Sequence, residues 1–309
     1  MTQELNYLAE SQAFGNAILQ AKALNLIVLH ATRTQLVMEL PYSTQLIGNP
    51  DTGTIHGGGI ITLMDSCCGI AARNALSAEE ICPTLDLRID YLRTPNIHAP
   101  VYARAECYRM TEHIVFLKCE AYQDEKVIAT CTANFMRLGK KIPLTVSPSM
   151  PTPQENAQAG TNQFEQASAV NLLELDSDNP RAVIDAIPYA KFIGMDLHQS
   201  NRNDEYTFVL RRKDSNLGNP VFKAIHGGVI GGFMQLSAGM HLVFSSSSSQ
   251  LPKVIDFSLD YLRAAMDQDT YTKCTITRKG SRVANVDIVA WQTSENEPIA
   301  TARAHFLLV

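Results

Sequence analysis

The sequence predicts an α+β protein of two like units, each an antiparallel sheet wrapped around one long central helix, fused as a pseudo-dimer. Three observations predict this. An apolar segment opened by glycines, His56–Leu76 (HGGGIITLMDSCCGIAARNAL), returns at His226–Phe244 (HGGVIGGFMQLSAGMHLVF). Matched landmarks keep one offset: Asn49 and Asn219, His56 and His226, Gly69 and Gly239, Asp90 and Asp260, and Arg93 and Arg263 all lie 170 residues apart. Each glycine-opened segment is followed by β-rich runs joined by short turns. A fixed spacing across several motifs is the signature of tandem duplication, and a helix followed by a meander gives the α+β class.

Taken in order, residues 1–25 read as helical, with Ala17, Ile18, Ala21 and Leu24 at helical spacing. Residues 26–41 read as one or two strands closed by Pro41, and a loop with Asn49, Pro50, Asp51 and Gly53 leads to the first central helix. The runs 84–95, 101–110, 113–123 and 126–138 form an antiparallel meander. Four prolines between 143 and 153 and a polar Gln/Asn/Ala stretch mark 141–168 as a linker, leaving domains at 1–140 and 169–309. The second unit then repeats the order: a helical piece through 187–195, a strand at 205–213, the second central helix, and strands at 254–265, 270–279, 282–292 and 298–309. The serine run 245–249 falls in a solvated loop, and Trp291 and the methionines read as core.

Composition narrows the function. With 309 residues, 45% hydrophobic and 18% charged content and a net charge of −5, the chain is of ordinary globular type and has no basic footprint for nucleic acid. No unbroken apolar run reaches the roughly 18 residues of a membrane span, and the first residues carry acids without the apolar core of a signal peptide. The seven cysteines are odd in number, form no CxxC pair and sit mostly in apolar patterns. Buried free thiols in the cytoplasm are therefore expected. His30, His98, His113, His198, His241 and His305 show no metal-ligand spacing, so neither metal nor cofactor is expected.

The chemistry concentrates on the central helices. Gly57 and Gly58, and Gly227 and Gly228, open helices whose free N–H groups and dipole suit an oxyanion or a polarised carbonyl. Asp65 is a single acid within an apolar run, suited to act as general base or as nucleophile, although a buried acid bonded to backbone is the structural alternative. Gln235 occupies the same place in the second helix and cannot act as a base. Asp65 lies nine residues beyond His56, about 13 Å along the axis and about half a turn around it. One helix cannot bring its own mouth and its own acid to the same small group. Two antiparallel helices can, each offering its mouth to the other's middle, so any site lies between the repeats.

The run HGGxxxxLxD followed by DLRIDYLRxP resembles the hotdog-fold acyl-CoA thioesterases of the PaaI type, over both halves of the chain, and two fused copies resemble a double hotdog. The resemblance implies an acyl-CoA or aryl-CoA substrate, a catalytic role for Asp65 supported by Thr84, and an Asn, His and first Gly supplied by the opposite repeat. It thus assembles one competent site from Asp65 and Thr84 with Asn219, His226 and Gly227, and a second, inert one from Asn49, His56 and Gly57 with Gln235 and Val254. His226 could equally fix its loop by hydrogen bonding, as could His56. Asp90, Arg93, Asp260 and Arg263 stand in both halves alike and read as structural. Hotdog sheets tend to pair further, so a homo-oligomer, a dimer of double hotdogs or higher, is expected. A hotdog hydratase would want a His about five residues after Asp65, where Ile70 stands. A non-catalytic acyl-CoA binder or scaffold is the alternative of a different class, and it has no need of Asp65.

Overall fold

The structure, a computed structural model, describes residues 2–76, 80–139, 179–200, 206–219, 223–246 and 251–308. The expected linker, 141–168, and residues 247–249 of the serine run lie outside these. The first repeat begins with α1 (Thr2–Ala17) and α2 (Leu19–Ala23), divided at Ile18, whose backbone is extended. Asn25 then takes a positive φ of 53°, which Asn tolerates better than most residues, and turns the chain into the sheet. There follow β1 (Ile27–Ala31), β2 (Gln35–Leu40), the short pair β3 (Ile47–Asn49) and β4 (Thr54–Ile55), and the central helix α3 (Gly57–Ala75). Then come β5 (Thr84–Tyr91), β6 (Val101–Met110), β7 (Ile114–Gln123) and β8 (Lys126–Met136). The expected four-strand meander needs correction: only β6, β7 and β8 pair in succession, and β5 pairs with β8 instead of β6, since the chain crosses over between β5 and β6.

The second repeat has α4 (Pro180–Asp185) and α5 (Pro188–Ile193), the latter ended by Gly194 in the left-handed conformation. Strands β9 (Met195–Ser200) and β10 (Tyr206–Leu210), and the pair β11 (Leu217–Asn219) and β12 (Ala224–Ile225), lead to α6 (Gly227–Phe244). Strands β13 (Lys253–Tyr261), β14 (Thr270–Lys279), β15 (Val283–Trp291) and β16 (Ala300–Leu307) complete the chain's fold.

All twelve long strands join one antiparallel sheet in the order β1-β2-β6-β7-β8-β5-β13-β16-β15-β14-β10-β9. Read from either edge to the middle, the two halves have the same order, which is the hotdog fold in two repeats. At the seam, β5 and β13 pair Asp86 with Asp260, Arg88 with Ser258 and Asp90 with Asp256. The inward faces bury Leu87, Ile89, Phe257 and Leu259 against the helices, as period-2 alternation requires.

The central helices lie inside this sheet. Every residue of α3 except Gly57, Gly69 and Arg73 is buried, and every residue of α6 except Gly227. By length and hydropathy α6 could cross a membrane, but 94% of it is buried inside the protein, so it is a core helix. Bare backbone lets the two helices touch. A β-carbon on Gly232 would stand 2.9 Å from the Gly58 Cα, and one on Gly228 would stand 2.5 Å from the Thr62 Cα. These contacts run in opposite senses along the two helices, so α3 and α6 are antiparallel. Each repeat also reaches across to the other: α2 packs on β11 and the turn at Asp214–Asn216, and α5 packs on β3 and the turn at Thr44–Leu46. The core reading of Trp291 and the methionines needs correction. Trp291 is only half-buried, stacked on Tyr271 at the end of β15, and Met110, Met136 and Met266 are exposed because their strand and loop positions face outward.

Candidate active site

Antiparallel packing of α3 and α6 creates two helix mouths, each facing the middle of the other helix. At the mouth of α6, His226 is the N-cap: its Nδ1 accepts from the Gly228 N–H at 3.0 Å. The proton of the neutral ring therefore sits on Nε2, which is 3.1 Å from the Ser66 hydroxyl of the other repeat. Burial pushes the His226 pKa down, with the charge of Asp65 opposing. The His226 carbonyl accepts from the Val229 and Ile230 N–H groups, at 3.0 and 3.2 Å. Of the first-turn amides, these bonds leave that of Gly227.

Asp65, 5% exposed, meets this mouth. Its Oδ1 accepts from the Thr84 hydroxyl at 3.0 Å. Its Oδ2 lies 3.5 Å from His226 Nδ1, but that nitrogen already accepts from Gly228, so the contact is one between two acceptors. The carboxylate is thus oriented by Thr84 and faces the positive end of the α6 dipole, while Oδ2 is left toward Gly227. A β-carbon on Gly227 would stand 3.0 Å from Asp65 Oδ2 and also 3.0 Å from the hydroxyl of Tyr261. That hydroxyl is buried and has no hydrogen-bond partner among the described residues. Burial pushes the Tyr261 pKa well up, and Asp65 adds to the effect.

The mouth of α3 is built alike, with Gln235 where the other has Asp65. His56 caps Gly58 at 2.9 Å, and burial pushes its pKa down to about 3. Gln235 fills the place of Asp65, its Oε1 so near Gly57 that any β-carbon there would collide with it. Its Nε2 donates to the Tyr91 hydroxyl at 2.9 Å, and Tyr91 donates in turn to the Gly57 carbonyl at 3.4 Å. Tyr189 of α5 stacks on His56 with ring centroids 4.5 Å apart and presses its hydroxyl between Gly58 and Gly232. Leu19 of α2 is its counterpart, 170 residues earlier.

The matching family supplies the next observation. The thioesterase superfamily matches the chain twice, at residues 52–130 and 222–299. The chain belongs to the thioesterase superfamily. No curated protein is similar enough to match it. Among solved structures, it is similar to a putative thioesterase from Novosphingobium aromaticivorans at 14% identity and TM-score 0.62, covering 91% of this chain and 98% of that one. It is also similar to the tesB protein of Mycobacterium avium subs paratuberculosis, at 10% identity and TM-score 0.60, over 97% and 100% of the two chains. A third is acyl-CoA thioesterase II TesB2 from Mycobacterium marinum, at 13% identity and TM-score 0.57, over 93% and 97%. At these identities the likeness is one of fold, and it extends over both repeats of this superfamily member.

Of the residues singled out from sequence, Asp65, Thr84, His226 and Gly227 come together at one mouth, and His56 and Gly57 stand at the other. Gly228 differs from expectation: its amide is taken by His226 and its bare Cα serves the contact with Thr62. Asn219 lies on the ladder opposite Ala224, without a described side-chain bond to Asp65. Arg93 and Arg263 donate to the Val127 and Pro298 carbonyls, a matched structural pair. Sequence reasoning passed over Ser66, Tyr91, Tyr189 and Tyr261. Among the described residues no three His, Cys, Asp or Glu side chains converge as metal ligands would.

Proposed function

We propose that this thioesterase-superfamily chain hydrolyses acyl-CoA thioesters at a single site, the mouth of α6, with Asp65 driving the attack. The observation that carries the reading is the convergence of Asp65 Oδ2 on the bare Gly227 at a helix N-terminus, with Thr84 holding the other carboxylate oxygen. Gly227 offers its N–H to the thioester carbonyl, and the helix dipole favours the negative charge that grows on that oxygen during attack. One such donor is worth about 3–4 kcal/mol in known cases. Asp65, close on the same side, is placed to act on the carbonyl carbon directly or through water. His226 is neutral and donates to Ser66, so its part is to shape the mouth rather than to carry a proton. The α3 mouth takes no part: Gln235 has no basic oxygen, Val254 has no hydroxyl, and Tyr189 fills the approach. The name of the M. marinum neighbour, an acyl-CoA thioesterase, agrees with the substrate class.

The test is thiol release from a panel of acyl-CoA and aryl-CoA esters. Wild-type protein is expected to turn over at least one of them, and Asp65→Asn to lose activity by 1,000-fold or more while remaining folded. Full turnover by Asp65→Asn, or tight acyl-CoA binding without release by the wild type, would overturn the enzyme reading. The second result would instead establish a binding protein.

A further inference from the structure

The Tyr261 hydroxyl is a buried polar group that the reading above does not use. It lies at the end of β13, beside Asp65 and Gly227, and makes no hydrogen bond among the described residues. A buried hydroxyl without a partner costs stability, so its retention asks for a ligand. Its own copy shows what the position can hold. Tyr91 stands at the same distance from Gly57, 3.0 Å from a β-carbon there, as Tyr261 does from Gly227. The Tyr91 oxygen donates to the Gly57 carbonyl and accepts from Gln235 Nε2. In the α3 mouth, then, the tyrosine hydroxyl is satisfied on both sides, while the carboxamide Oε1 is the atom nearest Gly57. In the α6 mouth the carboxamide is replaced by the shorter Asp65, which has no N–H to donate, and the tyrosine hydroxyl is left without a partner among the described residues.

Asp65 Oδ2 and the Tyr261 oxygen both lie 3.0 Å from one point, so their separation is at most twice that, and they are not bonded to each other. A water with two hydrogen bonds of about 2.8 Å spans such a gap. Resting on the thioesterase reading, we propose that Tyr261 and Asp65 together hold the attacking water beside Gly227, between the two oxygens that flank it. One water proton goes to Asp65 Oδ2 and the second to the Tyr261 oxygen. With both protons pinned, a lone pair is left to face the carbonyl carbon beside the Gly227 N–H. Asp65 is then a general base and not a nucleophile. The water gives its first proton to Asp65 as its oxygen bonds to the thioester carbon. The C–S bond breaks with its electron pair leaving on sulfur, the Asp65 proton passes to that sulfur, and the products are a carboxylic acid and free CoA thiol.

Tyr261→Phe tests this. The expected result is a fall in kcat of at least 10-fold with KM within 2-fold of wild type, and a thermal midpoint no lower than wild type, since no existing hydrogen bond is removed. Tyr91→Phe, at the α3 mouth, is expected to keep wild-type kcat. A purely structural Tyr261 would instead lower the midpoint and leave kcat per folded molecule unchanged, which would overturn the proposal. Single turnover of wild-type protein in H2(18)O needs no variant: the product acid is expected to carry the label and the Asp65 peptide none. Label appearing in Asp65 means an acyl-aspartyl intermediate and overturns the water-holding role. The two levels of failure separate cleanly. Loss of activity in Asp65→Asn with an unimpaired Tyr261→Phe leaves the thioesterase reading standing and removes only Tyr261.

Discussion

Arg88 and Ser258 face each other across the seam of the sheet, and each is the copy of the other, 170 residues apart. A strand paired antiparallel with its own duplicate places a pseudo-twofold axis through that pair. The same axis relates α3 to α6 and brings Asp65 to Gly227 on one side and Gln235 to Gly57 on the other. On the proposed reading neither repeat holds a complete site, and Asp65 against Gln235 makes the two mouths unequal.

The two glycines that open α6 are expected to respond differently to a methyl group. Gly227→Ala places a β-carbon 3.0 Å from Asp65 Oδ2 and from the Tyr261 hydroxyl, both ends of side chains, so the fold survives. Misplacement of the reacting groups should lower kcat/KM roughly 100-fold. Gly228→Ala drives a β-carbon into the Thr62 backbone and should cost about 1–3 kcal/mol of stability. Chemical denaturation and thiol-release kinetics on the two variants check the contrast.

Thr84 and Val254 are matched positions with different chemistry. Thr84→Val removes the hydroxyl that donates to Asp65 Oδ1, a bond to a charged group worth about 1.5–3 kcal/mol, and should slow turnover about 10- to 100-fold. Val254→Thr is expected to change kcat by less than 2-fold. Steady-state kinetics with one acyl-CoA suffice.

Stability should fall in acid through His56. Its pKa in the folded protein is about 3, and an unfolded histidine titrates near 6.5, so the unfolded chain binds more protons across that window. Stability contributed by the neutral ring is complete above about 6.5 and is lost as pH falls toward 3. Between pH 7 and 5 this amounts to about 1–2 kcal/mol. His56→Asn keeps a capping side chain without the titration, and its unfolding free energy should depend less on pH by that amount in urea titrations at the two pH values.

Much of this was legible in the sequence. The offset of 170 gave the two repeats, and nine residues between His56 and Asp65 forced acid and mouth onto different helices. The paired mouths then followed from helix geometry alone. What stayed hidden has physical causes. Tyr261 sits in a DYLR run common to both repeats, and likeness between the halves masked that its hydroxyl has lost the partner Tyr91 keeps. Tyr189 lies in a short helix of the opposite repeat, and only tertiary packing brings it onto His56. That the Gly228 amide is spent on His226 depends on a side-chain rotamer, which no spacing encodes. The division of the first helix at Ile18 is likewise invisible to an apolar period that continues across it.

The central claim is one working mouth per chain, with the other closed by Gln235 and Tyr189. Calorimetric titration of Asp65→Asn with a substrate acyl-CoA measures it most directly, because the ligand binds without being consumed. The account predicts one acyl-CoA bound per chain, and no second site after Gln235→Asn alone. Two equivalent sites per chain in the Asp65→Asn protein would contradict it.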